Sequence, residues 1–340
     1  MLNWIFGLLK HIVFWGLIVV LILWLIARMM VSLNTVPQTG TFAEVYGETI
    51  HYKDSADEGI NADGVPVLIL HGSNGNLWDV EYRLAPALRE QGFRTISVDR
   101  PGRNGSTRHD KRLLDPRMQA ALYDGFLEQL GIDKAVIMGH SMGNTMVMGM
   151  AINHPERMIA GVDLAGVSTT WLSQGLWWPY QLENTPIAKW LFGEVALPII
   201  GPLIVPSMAA ATFAPPDVIP DDFIEGSGLN HVTRPSSFRV NAQEAIHMRG
   251  FLIEMMADYP HIDVPFLIVW GEGEYVLSAQ DDHTGVSVPF WNHAARLERV
   301  LDKHETVVIE GVGHMVQHFK TDEVAAALSD FLSGQYFTGE

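Results

Sequence analysis

Residues 135–153 read AVIMGHSMGNTMVMGMAIN, and the order of residues in this stretch decides the fold. Ala135–Met138 is an apolar run of the kind found in a strand buried on both faces. Met142–Asn153 reads as a helix. Between them lies Gly139-His140-Ser141-Met142-Gly143, a G-x-S-x-G sequence. A strand leading in and a helix leading out require a sharp turn at Ser141, which lifts its hydroxyl clear of the sheet. A Cβ at position 139 or 143 would then collide with neighbouring backbone, which explains the two glycines.

Outward from this turn the chain alternates strand and helix. Val65–Leu70, Phe93–Val98, Ile159–Ala165, Pro265–Trp270 and Glu305–Ile309 are apolar strand patterns. Helical patterns cover Trp78–Gln91, Pro116–Leu130 (closed by Gly131), the region near Pro289–Leu301, and Thr321–Leu332. Thr41–Tyr46 and Thr49–Lys53 flank Gly47-Glu48 as a hairpin. This alternation specifies an α/β fold, a mostly parallel twisted sheet with helices on both faces. The rhythm breaks over residues 167–261, which show no clean strand. That stretch holds Trp171, Trp177, Trp178, Trp190 and the apolar run LPIIGPLIVP at 197–206. A helical insertion in a parallel sheet reads as a lid over the C-terminal strand ends, where ligands bind, and its tryptophans read mainly as lid packing.

The motifs as a set resemble the α/β-hydrolase superfamily over residues 41–335. They are His71-Gly72-Ser73-Asn74-Gly75, Asp99-Arg100-Pro101-Gly102, the turn at 139–143, and Gly311-Val312-Gly313-His314. The resemblance implies a serine hydrolase in which Ser141 is the nucleophile and His314, on the loop after the last strand, is its base. It implies an oxyanion hole made by the backbone N–H groups of Ser73 and Met142. The acid falls on Glu274, in Gly271-Glu272-Gly273-Glu274, at a position the family usually fills with Asp. Asp163 is the alternative acid, with Asp281 and Asp282 behind it. His71 and His140 occupy positions that shape the pocket floor. The implied activity is cleavage of a hydrophobic carboxylic ester through an acyl-enzyme. Carbon–carbon bond hydrolases, lactonases and cofactor-free haloperoxidase-like enzymes use the same residue set and stand as alternatives, with a non-catalytic membrane-associated binding protein behind them.

The N-terminus has a different composition. His11–Ala27 carries no Asp, Glu, Lys or Arg, and Met29–Leu33 extends the apolar stretch. Lys10 and Arg28 can snorkel, and Trp4, Trp15 and Trp24 can sit at an interface. Residues 1–33 therefore read as a single-pass membrane anchor touching lipid, 34–40 as a linker, 41–166 with 262–340 as the core, and 167–261 as the lid. A small charge bias places the catalytic body on the extracytoplasmic side. A cleaved signal peptide is the rival reading. Elsewhere, a net charge of −17 disfavours nucleic acid as a partner. The chain has no cysteine, and its fourteen histidines show no ligand spacing, so neither metal nor cofactor is expected.

Overall fold

The computed structural model describes residues 2–34, 36, 39–170, 178–213, 217–274 and 293–337. Asp281, Asp282, Trp171 and Trp177 lie outside the described residues. Eight strands form one sheet: β1 (Thr41–Val45), β2 (Glu48–Asp54), β3 (Pro66–Leu70), β4 (Arg94–Val98), β5 (Ala135–His140), β6 (Met158–Leu164), β7 (Phe266–Gly271) and β8 (His304–Ile309). Their order is β1-β2-β4-β3-β5-β6-β7-β8. The hairpin strands β1 and β2 pair antiparallel, β2 joins β4 antiparallel, and every pairing from β4 through β8 is parallel. Parallel pairing puts the C-terminal ends of these strands along one edge. The register makes this concrete: Leu70 lies opposite Gly139, Gly139 opposite Asp163, and Gly271 opposite Ile309. The loops that follow β3, β5, β7 and β8 therefore start from the same side of the sheet.

The central strands are wholly buried, including Val67–Leu70, Ala135–Met138 and Phe266–Val269. Helices α2 (Leu77–Glu81), α3 (Leu84–Glu90), α4 (Pro116–Gln129), α5 (Asn144–Asn153), α11 (His293–Glu298), α12 (Val316–Phe319) and α13 (Thr321–Leu332) accompany the sheet. Two details differ from the sequence reading. The single helix expected over 78–91 is two helices, because Tyr82 and Arg83 turn away to meet residues distant in sequence. Tyr82 packs edge-on against Phe223, and Arg83 donates to the His318 carbonyl at 3.0 Å. Strand β5 also runs two residues further than expected, to His140, and a tight 3-10 turn at Ser141–Gly143 precedes α5.

Between β6 and β7 the described residues of the insertion contain no strand and include the helices α6 (Trp178–Gln181), α7 (Pro186–Trp190), α8 (Leu197–Thr212), α9 (Phe223–Gly226) and α10 (Pro235–Met255). Helix α8 incorporates Pro202 and Pro206, each of which lacks the N–H for an intrahelical bond. The N-terminal helix α1 (Leu2–Leu33) leaves its apolar side chains open, with Trp4 at 72% and Leu17 at 65% exposure. It packs beside α8, and the Asn34 carbonyl accepts from Arg234 at 2.7 Å while its side chain donates to the Asn230 carbonyl at 2.8 Å. Two described stretches, Trp4–Leu33 and Pro186–Ala210, are long and apolar enough to cross a bilayer.

Candidate active site

Ser141 sits at the end of β5 with φ 51°, a left-handed backbone that non-glycine residues rarely adopt. The flanking glycines show why the turn tolerates nothing larger. A Cβ on Gly143 would lie 2.1 Å from the Leu70 carbonyl oxygen, and one on Gly139 would lie 2.6 Å from the Asn144 backbone. The loop after β3 runs directly against this turn: a Cβ on Gly72 would come within 3.1 Å of the Ser141 Cβ. Next along that loop, the Ser73 N–H has no hydrogen-bond partner among the described residues. Met142 is buried and follows Ser141 at the start of the helical turn.

His314 and Glu274 come together across forty residues of sequence. His314 Nδ1 lies 2.8 Å from Glu274 Oε2, and Glu274 is nearly fully buried. Such a contact fixes the imidazole tautomer, with the proton on Nδ1 and Nε2 left to accept. Ser141 and His314 line one cavity of about 230 Å³ together with Ser73 and Asn74 from the core and Leu197, Ile204 and Val205 from α8. The alternative acid Asp163 faces other partners. It accepts from Asn144 Nδ2 at 2.7 Å, Gly166 N at 2.7 Å, Ser168 Oγ at 2.9 Å and Trp270 Nε1 at 3.1 Å. Burial pushes Asp163 up to about 6 in spite of these four donors. Asp163 therefore ties the start of α5 to β7, and the described contacts do not bring it to His314.

The His140 ring lies beside that of His314, with centroids 5.1 Å apart. Burial and the neighbouring His314 push His140 down to about 3, so its ring is neutral. A neutral ring can accept at Nδ1 from Gln317 at 3.2 Å and donate from Nε2 to the His314 carbonyl at 3.3 Å. His318, the near neighbour, is instead buried against Asp79 at 3.0 Å. Burial alone would raise the Asp79 carboxyl, but the charge and hydrogen bond of His318 outweigh it and hold it below its ordinary value.

Sequence reading missed one carboxylate beside His314. Asp217, from the insertion, accepts from the Gly313 N–H through both oxygens, at 3.0 and 3.1 Å, and from the Met315 N–H. Desolvation raises its pKa, and the nearby charge of Glu274 adds to the rise. The insertion thus grips the backbone on both sides of His314. Nothing in the local pattern around Asp217 announces this, because its partners are amides a hundred residues away. For a metal, the candidate group among the described residues is Asp124, His154 and Glu156 on the surface, and Asp124 is already held by Arg157 at 2.7 Å.

The family model described as "Alpha/beta hydrolase family" matches residues 67–327. The chain belongs to the alpha/beta hydrolase family. This hydrolase is 26% identical over 241 residues to a 2-hydroxy-6-oxononadienedioate/2-hydroxy-6-oxononatrienedioate hydrolase of Pseudomonas sp, covering 69% of this chain and 78% of the relative. It is 25% identical over 289 residues to a 2-hydroxy-6-oxo-6-phenylhexa-2,4-dienoate hydrolase of Burkholderia cepacia, covering 84% of this chain and 91% of the relative. Among solved structures, an esterase from Exiguobacterium antarcticum superposes with a TM-score of 0.64 at 21% identity, over 87% of this chain and all of the other, which is a likeness of fold.

Proposed function

We propose that this hydrolase cleaves carboxylic esters with an apolar acyl or aromatic part, through an acyl-enzyme on Ser141. One observation carries the reading: His314, held at 2.8 Å by Glu274, lines the same cavity as Ser141 on its left-handed turn. In this reading His314 Nε2 takes the proton of the Ser141 hydroxyl as Oγ attacks the carbonyl carbon. Glu274 orients the ring and stabilises the imidazolium. The N–H groups of Ser73 and Met142 receive the oxyanion, and each such donor contributes about 3–4 kcal/mol to transition-state stabilisation. His314 then returns the proton to the leaving oxygen, and water repeats the sequence to release the acid. An ester asks for no group beyond these.

The insertion acts as the lid of this site. The apolar side chains that α8 contributes to the cavity suit a hydrophobic substrate. Helix α1 serves as a membrane tether in contact with lipid, since its exposed apolar length matches a bilayer core. The catalytic body is assigned to the extracytoplasmic side on the charge bias around Lys10 and Arg28.

A second reading is favoured by the two relatives named above, hydrolases of a 2-hydroxy-6-oxo dienedioate or trienedioate and of a 2-hydroxy-6-oxo-6-phenyl dienoate. The same serine, histidine and acid could cleave a carbon–carbon bond beside a carbonyl, with the proton delivered to carbon in place of oxygen. The test is a panel of p-nitrophenyl esters and vinylogous diketones assayed on the full chain in detergent. Turnover of esters that is lost in Ser141→Ala supports the first reading. Turnover confined to the diketones replaces it with the second.

A further inference from the structure

The cavity that holds Ser141 also contains a carboxylate that the proposed mechanism leaves unused. Asp79 lies in the first turn of α2 and lines the cavity together with Gly75 and Phe223. Its side chain is only 9% exposed. One oxygen, Oδ1, faces His318 Nε2 at 3.0 Å. The other, Oδ2, lies beside the loop after β3, since a Cβ on Gly75 would come within 3.3 Å of it. That loop is the one whose Gly72 abuts Ser141. No hydrogen bond among the described residues engages Oδ2, and the atom keeps contact with the space of the cavity.

The partner at Oδ1 fixes what this carboxylate can offer. A carboxylate only accepts, so His318 Nε2 carries the proton between them. His318 Nδ1 is buried without a hydrogen-bond partner among the described residues, and moving the proton there would bury an unpaired N–H. The rings of Tyr82, Phe213 and Phe223 stand around the imidazole, with centroids 5.6, 6.4 and 5.0 Å away, and hold it against Asp79. His318 thus occupies Oδ1 and leaves Oδ2 as an acceptor turned to the cavity. The Asp79 carboxyl stays below its ordinary value and is ionised at neutral pH. No Lys or Arg side chain is among the described residues that line the cavity, so no cation of the protein takes up Oδ2.

We propose that Asp79 Oδ2 receives a hydroxyl group carried by the substrate apart from the carbonyl that is cleaved, which makes hydroxylated esters, such as a partial ester of a polyol, the substrate class. A tie between α2 and the loop after β8 asks only for a neutral acceptor toward His318. An amide oxygen would serve, without setting a charge in an apolar wall. The wall here is formed by Ala209, Phe223 and Met315, which pack together and offer Oδ2 no donor. A donor that arrives with the ligand completes the site, and an O–H bond to a carboxylate is stronger than one between neutral groups. A ligand presenting only an ether or carbonyl oxygen at this place would set two acceptors face to face. The word "substrate" rests on the hydrolase chemistry proposed above, but the recognition of a hydroxyl does not.

The test is equilibrium binding to the full-chain Ser141→Ala protein in a neutral maltoside detergent. The probes are 4-phenyl-2-butanol and 4-phenyl-2-butanone, which share a carbon skeleton and differ in whether the oxygen can donate. The alcohol is expected to bind at least about tenfold tighter than the ketone, the scale of one hydrogen bond to a charged group. Adding Asp79→Asn keeps the shape of the side chain. Its oxygen stays with the His318 N–H, so its NH2 takes the place of Oδ2 and the affinity ratio should fall to one or below. Adding Asp79→Ala instead should lower the ratio as well, and a thermal melt of each variant shows whether it is folded. A role confined to tying down His318 would lower the thermal midpoint of these variants and leave the ratio unmoved. Equal affinities for the two probes, binding of neither, a tighter ketone, or a ratio unchanged in Asp79→Asn or Asp79→Ala overturns the proposal. An alcohol preference in a protein whose Ser141 resists fluorophosphonate would instead refute the hydrolase chemistry and leave this site standing.

Discussion

Arg100 and Arg103, both wholly buried, share the carboxylate of Glu244 on α10 at 2.5–3.2 Å, and replacing Glu244 by Gln tests this buried cluster through its energetics. Burial alone would raise the Glu244 carboxyl, but the fields of Arg100 and Arg103 reverse this and hold it at about 2, against an ordinary 4.5. A depressed carboxylate gives stability that is present above its unfolded value and lost as pH falls toward its folded value. The depression of Glu244 corresponds to about 3 kcal/mol. Arg103 carries the opposing term. Burial pushes it down to about 10, so holding its charge costs a similar amount, about 3 kcal/mol. The cluster as a whole therefore adds little net stability, in keeping with the behaviour of buried ion groups. Removing only the carboxylate is a different matter, because two buried cations lose their shared partner. Glu244→Gln should cost about 3–5 kcal/mol. At roughly 2 °C per kcal/mol for a chain of this size, the thermal midpoint at pH 7 should fall by about 6–10 °C. The assay is a tryptophan-fluorescence melt of the full chain in detergent, repeated between pH 7 and pH 3.5. The deficit should shrink toward the acid end, where Glu244 of the unfolded chain takes up its proton while the folded carboxylate, held at about 2, stays ionised. Adding Arg103→Met should recover part of the loss. A midpoint shift below about 2 °C at pH 7, or a deficit that grows on acidification, would refute the reasoning.

Two further substitutions separate the candidate acids. Glu274→Gln removes the charge that faces His314 Nδ1 at 2.8 Å, and kcat on an ester should fall by roughly three to four orders of magnitude with little change in the thermal midpoint. Steady-state kinetics with a p-nitrophenyl ester reads it. Asp163→Asn places an NH2 among four donors, so it should destabilise the fold by about 1–3 kcal/mol, read by the same melt. The rate of fluorophosphonate labelling should stay within about tenfold of the unsubstituted protein, since Asp163 makes no contact with His314 among the described residues. The reverse pattern would exchange the roles of the two carboxylates.

The parts of this fold that the sequence makes legible are those that depend on neighbours along the chain. Val67–Leu70 and Ala135–Met138 read as buried strands because continuous apolar runs have no other stable use. The Gly139–Gly143 turn reads from its steric demands, which the 2.1 Å approach of a Gly143 Cβ to the Leu70 carbonyl makes explicit. The loops carrying His314 and Glu274 follow the last two apolar strand runs, and the choice of these two residues within them rests on the resemblance to the α/β-hydrolase superfamily. What escapes is decided by partners distant in sequence. The break at Tyr82–Arg83 answers to Phe223 and His318. Asp217 matters through the amides of Gly313 and Met315. Arg100 was visible in a motif, yet its pairing with Glu244, 144 residues on, has no local signature. Helix α8 hides behind two prolines that argue against a helix when only local propensity is weighed.

The central claim, that Ser141 is an activated nucleophile, is tested most directly by intact-mass analysis and peptide mapping after treatment of the full chain with a fluorophosphonate. One phosphonyl adduct on Ser141, absent from Ser141→Ala, is the expected result. An adduct on another residue, labelling that persists in Ser141→Ala, or no adduct on the folded protein would contradict the account.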